Sequence, residues 1–325
     1  MIWAMADAQV MTVSGPIPAS ALGITDAHEH LFLRTPALPG EELEDLDKAV
    51  EEVRDDRATG LQALVELTPI GCGRRPELLR AVSQATGVAV VAATGYHRDA
   101  HHPAGHWVHA ASLEVLTERI VTDLTRGMHP ADWLEPDLPL DPARAGVIKA
   151  GASHQRITDS EKRRLSAAAE ASRRTGAAVV VHTEAGTCGP DIVDLLLSRG
   201  LPPERLTLAH MDRNPDAGLH AEICAQGVSL VYDTPGRTKY GPDSERIELI
   251  EAMVEAGHLD RLMLGLDLGR RGYFRAHGGG PGLRHLLGDF VPRLRKRIGK
   301  QAVESILVAN PSRAFALATV AESVA

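Results

Sequence analysis

Two histidines one residue apart, His28 and His30, close an apolar run near the start of the chain, Leu22-Gly23-Ile24-Thr25-Asp26-Ala27-His28-Glu29-His30. On a strand, residues two apart share a face. Both imidazoles then point one way and Glu29 the other. Paired neutral nitrogens on one face suit a metal ion, although the pair alone carries little. Four more residues able to act as ligands end other apolar runs: Lys149 after Val147-Ile148, His182 after Val179-Val180-Val181, His210 after Leu208-Ala209, and Asp267 after Leu264-Gly265-Leu266. Any one of these, taken singly, is more readily a satisfied core or rim group. Together they resist that explanation, because a structural histidine has no reason to prefer strand C-termini.

The elements that must position them alternate along the whole chain. Strands are expected at 23–28, 63–68, 88–94, 146–149, 177–182, 206–210, 228–232 and 262–266. Amphipathic helices are expected at 43–59, 76–86, 112–126, 158–175, 189–199, 216–226 and 243–256, many stopped by glycine. A helical tail follows from Leu283 to Val324, with breaks expected at Pro292 and Pro311. Strand–helix alternation predicts parallel strands with crossover helices. Eight such units with no linker-like composition between halves predict a single (β/α)8 TIM barrel domain over residues 1–325, with the candidate residues gathered at the C-terminal mouth.

Composition narrows the function classes. The 325 residues are 44% hydrophobic, 24% charged and only 3% aromatic, so the core must be built from Ala, Val, Leu and Ile. A formal net charge of −8 disfavours nucleic acid as a partner. Cys72, Cys188 and Cys224 lie far apart, which argues against a disulfide framework. No apolar run approaches a membrane span, and Met1 to Val10 lacks the pattern of a signal peptide. The expectation is a cytoplasmic enzyme or binding protein.

Lys149 is the odd member of the set, because an ammonium repels cations and resists burial. It fits if its neutral amine has taken up carbon dioxide. The resulting carbamate bridges two ions held about 3.5–4 Å apart. The alternative is a strand-end lysine reaching for solvent.

His-x-His on the first strand, Lys on the fourth, His on the fifth and sixth and Asp on the eighth resemble the phosphotriesterase family of the amidohydrolase superfamily, across nearly the whole chain. The resemblance implies a binuclear centre. His28, His30 and Asp267 would bind one divalent ion, His182 and His210 the other, and N6-carboxylated Lys149 would bridge. Zinc is the first expectation; manganese, cobalt and iron accept the same donors. A metal-bridging hydroxide would be the nucleophile, with Asp267 as catalytic proton acceptor.

Two loops then bear on the substrate. Asp233-Thr234-Pro235-Gly236-Arg237-Thr238-Lys239-Tyr240 follows strand seven, and Gly269-Arg270-Arg271-Gly272-Tyr273 follows strand eight. Barrel phosphate sites commonly sit there, and these cations on an acidic chain make an anion trap. The alternative is a solvated rim paired with Asp233, Asp243 or Glu245. Within the family, Lys239, Arg270 and Tyr273 resemble the phosphate-gripping residues of lactonases that open phosphorylated furanose lactones. Tyr96 and His97 are expected in the same pocket. The loop histidines His97, His101, His102, His106 and His109 read as a polar lid rather than a third metal site. Glu66 either pairs with a pocket cation or points outward. The reading is a metal-dependent hydrolase opening a phosphorylated sugar lactone. Its competitors are a phosphotriesterase-like esterase, an acyl-homoserine lactonase and a metal-bound barrel that binds without turnover. A homodimer is compatible with all of them.

Overall fold

The computed structural model describes residues 8–130, 132 and 138–319. An antiparallel hairpin comes first: β1 (Gln9–Thr12) and β2 (Gly15–Pro18). The eight expected strands follow as β3 (Thr25–Glu29), β4 (Ala63–Glu66), β5 (Ala89–Gly95), β6 (Val147–Ala152), β7 (Ala178–Thr183), β8 (Leu206–Ala209), β9 (Ser229–Tyr232) and β10 (Leu262–Leu264). They pair in parallel and in chain order. The Leu266 and Asp267 amides donate to the His28 carbonyl at 3.3 and 2.9 Å, joining the last strand to the first. Gly265 sits at this seam, where a Cβ would lie 2.8 Å from the His28 nitrogen. The result is a (β/α)8 barrel.

The strand side chains sort by alternation. Ala63, Val65, Val91, Ala93, Val147, Val180 and Val231 pack inside the barrel. Leu64, Val90, Ala92, Ile148, Val179 and Val181 belong to the outer layer with the helices. The inward rows continue two residues further to Lys149 and His182, so the same periodicity that fills the interior aims these groups into the mouth. Small residues dominate inside, consistent with the aromatic-poor composition.

The helices between strands are α1 (Leu46–Arg57), α2 (Pro76–Thr86), α3 (Leu113–Thr125), α4 (Asp159–Thr175), α5 (Gly189–Ser198), α6 (Ala217–Ala225) and α7 (Asp243–Glu255). Their ends carry the expected chemistry. Ser112 caps α3, a Thr158–Glu161 capping box opens α4, and Gly87 and Gly176 close α2 and α4 in the left-handed conformation.

Two features depart from the expectations. The β1–β2 hairpin was not anticipated. Its Val10 packs with Leu22 and Phe315 in the barrel interior, sealing the end opposite the mouth. The tail forms α8 (Val291–Ile298), α9 (Lys300–Glu304) and α10 (Asn310–Phe315), but Pro292 and Pro311 do not break it. A wide π turn precedes each proline, at Leu286–Phe290 and Ser305–Ala309, and absorbs the missing N–H and the bulky ring. The break falls at Gly299 instead, at φ 83°. Residues 320–324 of the expected tail and 1–7 of the segment read for a leader lie outside the described residues, as do 131 and 133–137 between α3 and β6. Among the described residues no helix is long and apolar enough to cross a membrane, and all three cysteines are free.

Candidate active site

Five of the six candidate residues are essentially buried at the mouth, and Asp267 has a side chain 14% exposed. Asp267 Oδ1 lies 3.2 Å from His30 Nε2 and 3.5 Å from His28 Nε2. Lys149 Nζ lies 3.2 Å from His28 Nε2, and His182 Nδ1 lies 2.8 Å from His210 Nε2. His28, His30 and Asp267 each offer one ligand atom within 4.8 Å of the others. The glycine that ends β5 makes room beside this group. Gly95 has φ 92°, and a Cβ there would sit 2.1 Å from the Lys149 carbonyl.

The far nitrogen of each ring reveals where its proton sits. His28 Nδ1 and His210 Nδ1 are each 2.7 Å from a different oxygen of buried Asp233. His182 Nε2 is 2.8 Å from Glu184 Oε2. His30 Nδ1 is 2.8 Å from Thr68 Oγ1, and that hydroxyl donates to Glu66 at 2.6 Å, so it accepts from the ring. Carboxylates and an already donating hydroxyl accept only, so every ring proton is held on the outer nitrogen. Four imidazole lone pairs therefore face inward. Those of His182 and His210 meet at 2.8 Å with no proton between them, an arrangement that a cation relieves. The donor set fits divalent metal ions on this ground. Asp233, although near His28 and His210, has both oxygens committed to the ring Nδ1 atoms and orients rather than ligates.

Electrostatics agree with neutral rings. Burial, then the Lys149 charge, lowers His28 to about 3. Burial, then Arg213, lowers His210 to about 3. His182 is held well below its usual value by burial and by His210. Burial brings Lys149 down to about 8, which raises the fraction of neutral amine. Burial alone would push Asp233 and Asp267 up. Asp233 is instead held well below the carboxylate range by His210 and His28, whose Nδ1–H groups it accepts, and Asp267 by the Arg237 charge. Arg213 and Arg237 reach Asp267 Oδ2 at 2.6 and 2.7 Å. Arg237 also donates to the Leu266 and Asp267 carbonyls and lies 5.3 Å from the Tyr273 ring, tying the β9 loop to the β10 loop. His210 and Asp267 adopt φ 66° and 50°. Such backbone costs of order 1–3 kcal/mol in non-glycine residues and gathers at functional sites.

The mouth opens into a pocket of about 130 Å³. Lys239, Arg270 and Tyr273 line it, as do His97, His101 and Arg213. Lys239 Nζ is 4.6 Å from the Tyr240 ring, and Arg270 is 3.5 Å from Glu41. The anticipated rim acceptors are engaged elsewhere: Asp243 with His285 and Arg293, Glu245 with Arg246. Arg271 instead borders a separate cleft with Glu42 and Glu44. Tyr96 does not reach the pocket. It is buried with its hydroxyl donating to the Leu116 carbonyl at 3.0 Å and its ring against Trp107, because the loop turns it toward α3. His97 stacks on His101 at 3.6 Å and sits 4.6 Å from the His182 ring. Among the described residues the loop histidines form no group of three ligand atoms. A larger cleft of about 740 Å³, lined by Arg34, Gly71, Arg75 and Asp132, contains none of the converging groups. Glu66 takes neither expected role. It is fully buried, accepts from the Leu31 amide and steadies Thr68.

Sequence reading missed Glu184, Arg213 and Thr68, and offered Asp233 only as a rim acceptor, whereas it holds His28 and His210. The available signal was position: each follows a strand end, as the candidate ligands do.

Residues 8–315 match the model of the phosphotriesterase family. A phospho-furanose lactonase of Mycoplasmopsis synoviae is 31% identical, covering 94% of this chain and 91% of that protein. The structure of a lactonase from Listeria monocytogenes superposes with a TM-score of 0.89 at 27% identity, covering 96% and 100% of the two chains. That of the Escherichia coli phosphotriesterase homology protein, with phosphate in its active site, gives 0.82 at 30% identity, covering 91% and 99%. The chain belongs to the phosphotriesterase family.

Proposed function

We propose that this hydrolase opens a phosphorylated furanose 1,4-lactone at a two-metal centre. The observation that carries the reading is the adjacency of two features. Four inward imidazole lone pairs surround Lys149 and Asp267, and the pocket above them is lined by Lys239, Arg270 and Tyr273. The phospho-furanose lactonase relative supports this substrate class, and the E. coli neighbour holds phosphate in its active site.

His28, His30 and Asp267 would hold one ion, His182 and His210 the other, with Lys149 between them as its carbamate. Bound ions would acidify a water to a pKa of about 7 and polarise the lactone carbonyl. Asp233, Glu184 and Thr68 keep the ring protons on the outer nitrogens. Arg213 and Arg237 keep Asp267 ionised, so its carboxylate accepts a proton from the attacking water and returns it to the departing ring oxygen. Lys239 and Arg270 grip the distal phosphate, and Tyr273 adds a hydroxyl. A pocket with this cation content is a poor home for a long acyl tail, which disfavours an acyl-homoserine lactonase.

The test compares a phosphorylated furanose lactone with its plain analogue on metal-reconstituted protein. Each charge-assisted bond is worth about 1.5–3 kcal/mol, so wild type should favour the phosphorylated form by at least tenfold in kcat/KM. Lys239→Ala and Arg270→Ala should erode the preference while sparing the plain lactone. Equal efficiency on both lactones in wild type would sink the substrate assignment.

A further inference from the structure

Two of the four rings that aim nitrogens inward, His28 and His210, share one carboxylate. His28 Nδ1 meets Asp233 Oδ2 and His210 Nδ1 meets Asp233 Oδ1, each at 2.7 Å. The His210 amide also donates to Oδ2 at 3.3 Å, and Asp233 is fully buried. Every other ring at the centre has its own partner: Thr68 for His30 and Glu184 for His182. We infer that Asp233 is a positioning residue that sets the tautomer of one ligand in each half at once, so that metal affinity in both halves depends on this one carboxylate. The inference rests on the two-metal reading above.

The argument is one of acceptor count. A neutral imidazole carries one proton, and placing it on Nδ1 leaves Nε2 free to ligate. A carboxylate has two acceptor oxygens and no donor, so it can hold two Nδ1 protons simultaneously. An amide has one acceptor oxygen, and its nitrogen only donates. With Asn at this position, one ring keeps its Nδ1 proton. The other faces an N–H and is driven to the opposite tautomer, which puts its proton on Nε2, where the lone pair is needed. Loss of such outer partners typically costs 10–100-fold in metal affinity. Glu184 serves a single ring, so the oxygen of a glutamine there would suffice.

Zinc uptake by the full chain, measured as ions per chain across buffered free zinc, tests this. Wild type should take two ions. Asp233→Asn should keep one with near wild-type affinity and bind the other 10–100-fold more weakly. Asp233→Ala should weaken both, and Glu184→Gln should retain both. Two ions at wild-type affinity in Asp233→Asn would overturn the inference and leave the two-metal reading intact. Loss of an ion in Glu184→Gln would also overturn it, since charge rather than acceptor count would then be in control. Fewer than two ions in wild type would overturn the underlying reading itself. Because the Asn variant could fail to fold, histidine nitrogen NMR of zinc-loaded wild type supplies an independent check. Both His28 and His210 should be protonated at Nδ1; an Nε2 proton on either ring refutes the assignment.

Discussion

Asp267→Asn separates what this carboxylate does for folding from what it does for chemistry. Oδ2 accepts from Arg213 and Arg237 at 2.6 and 2.7 Å, and Oδ1 faces the His30 and His28 Nε2 lone pairs at 3.2 and 3.5 Å. An asparagine oriented with its oxygen toward the arginines keeps an acceptor there. Its NH2 then donates to the two lone pairs. In metal-free protein the substitution therefore replaces a crowded contact with hydrogen bonds. It removes one charge beside two guanidiniums, of which Arg237 keeps its carbonyl partners. The metal-free melting temperature should fall by no more than a few degrees. Turnover should behave differently. The amide presents N–H groups where a cation would sit and cannot accept a proton. A lost general acid–base group costs about 100- to 10,000-fold, or roughly 3–5 kcal/mol of barrier. Lactone hydrolysis under saturating metal, with calorimetry of chelated protein, reads both quantities. Turnover within a factor of two of wild type would refute the role. A metal-free protein destabilised by as much as the barrier rises would show that the residue acts through the fold. Retained lactone affinity without any wild-type turnover would favour the ligand-binding barrel.

Lys149→Ala should lose most bound metal and activity, and short carboxylic acids should restore part of both; metal analysis with and without added acid decides, and full metal in the alanine variant would refute bridging. His285 accounts for a pH-dependent part of stability. Its bond to Asp243 raises its pKa, so its contribution is fully present below about 6.5 and is lost as pH rises through the folded value. The melting-temperature gap between wild type and His285→Ala should therefore be larger at pH 5.5 than at pH 8.5, by at most about 1 kcal/mol in free energy for this partly exposed pair; a gap that widens with pH would reverse the sign. Phe315→Ala unseats the aromatic plug among Val10, Leu22 and Ala63, and denaturant unfolding should show a loss of about 3–5 kcal/mol.

The ligand candidates were legible because barrel architecture turns strand order into spatial convergence. Once Val147 and Val180 face inward, Lys149 and His182 must follow at the mouth. The residues that control them were illegible for the opposite reason. Asp233 meets His28 across 205 positions, and no local pattern distinguishes an acid that orients a ring from one that pairs with a rim cation. Thr68 and Glu66 reach His30 only because β4 lies beside β3. Tyr96 follows a strand like the others, yet the loop rotates it toward α3, a choice set by packing with Trp107 and Leu116. Pro292 and Pro311 signalled breaks, but the wide turns that accommodate them have no sequence signature of their own.

The tie made by Arg237 bears on how this scaffold could be redesigned. In barrels of this kind the strands carry the reaction and the loops carry selectivity, which invites grafting a foreign loop to change the substrate. Here the β9 loop is not a free module. Its Arg237 supports the backbone of Asp267 and packs over the Tyr273 ring. A transplanted loop without an equivalent guanidinium would reshape the pocket and loosen Asp267 in the same stroke. The β10 loop must therefore be exchanged together with it, and the two treated as one cassette.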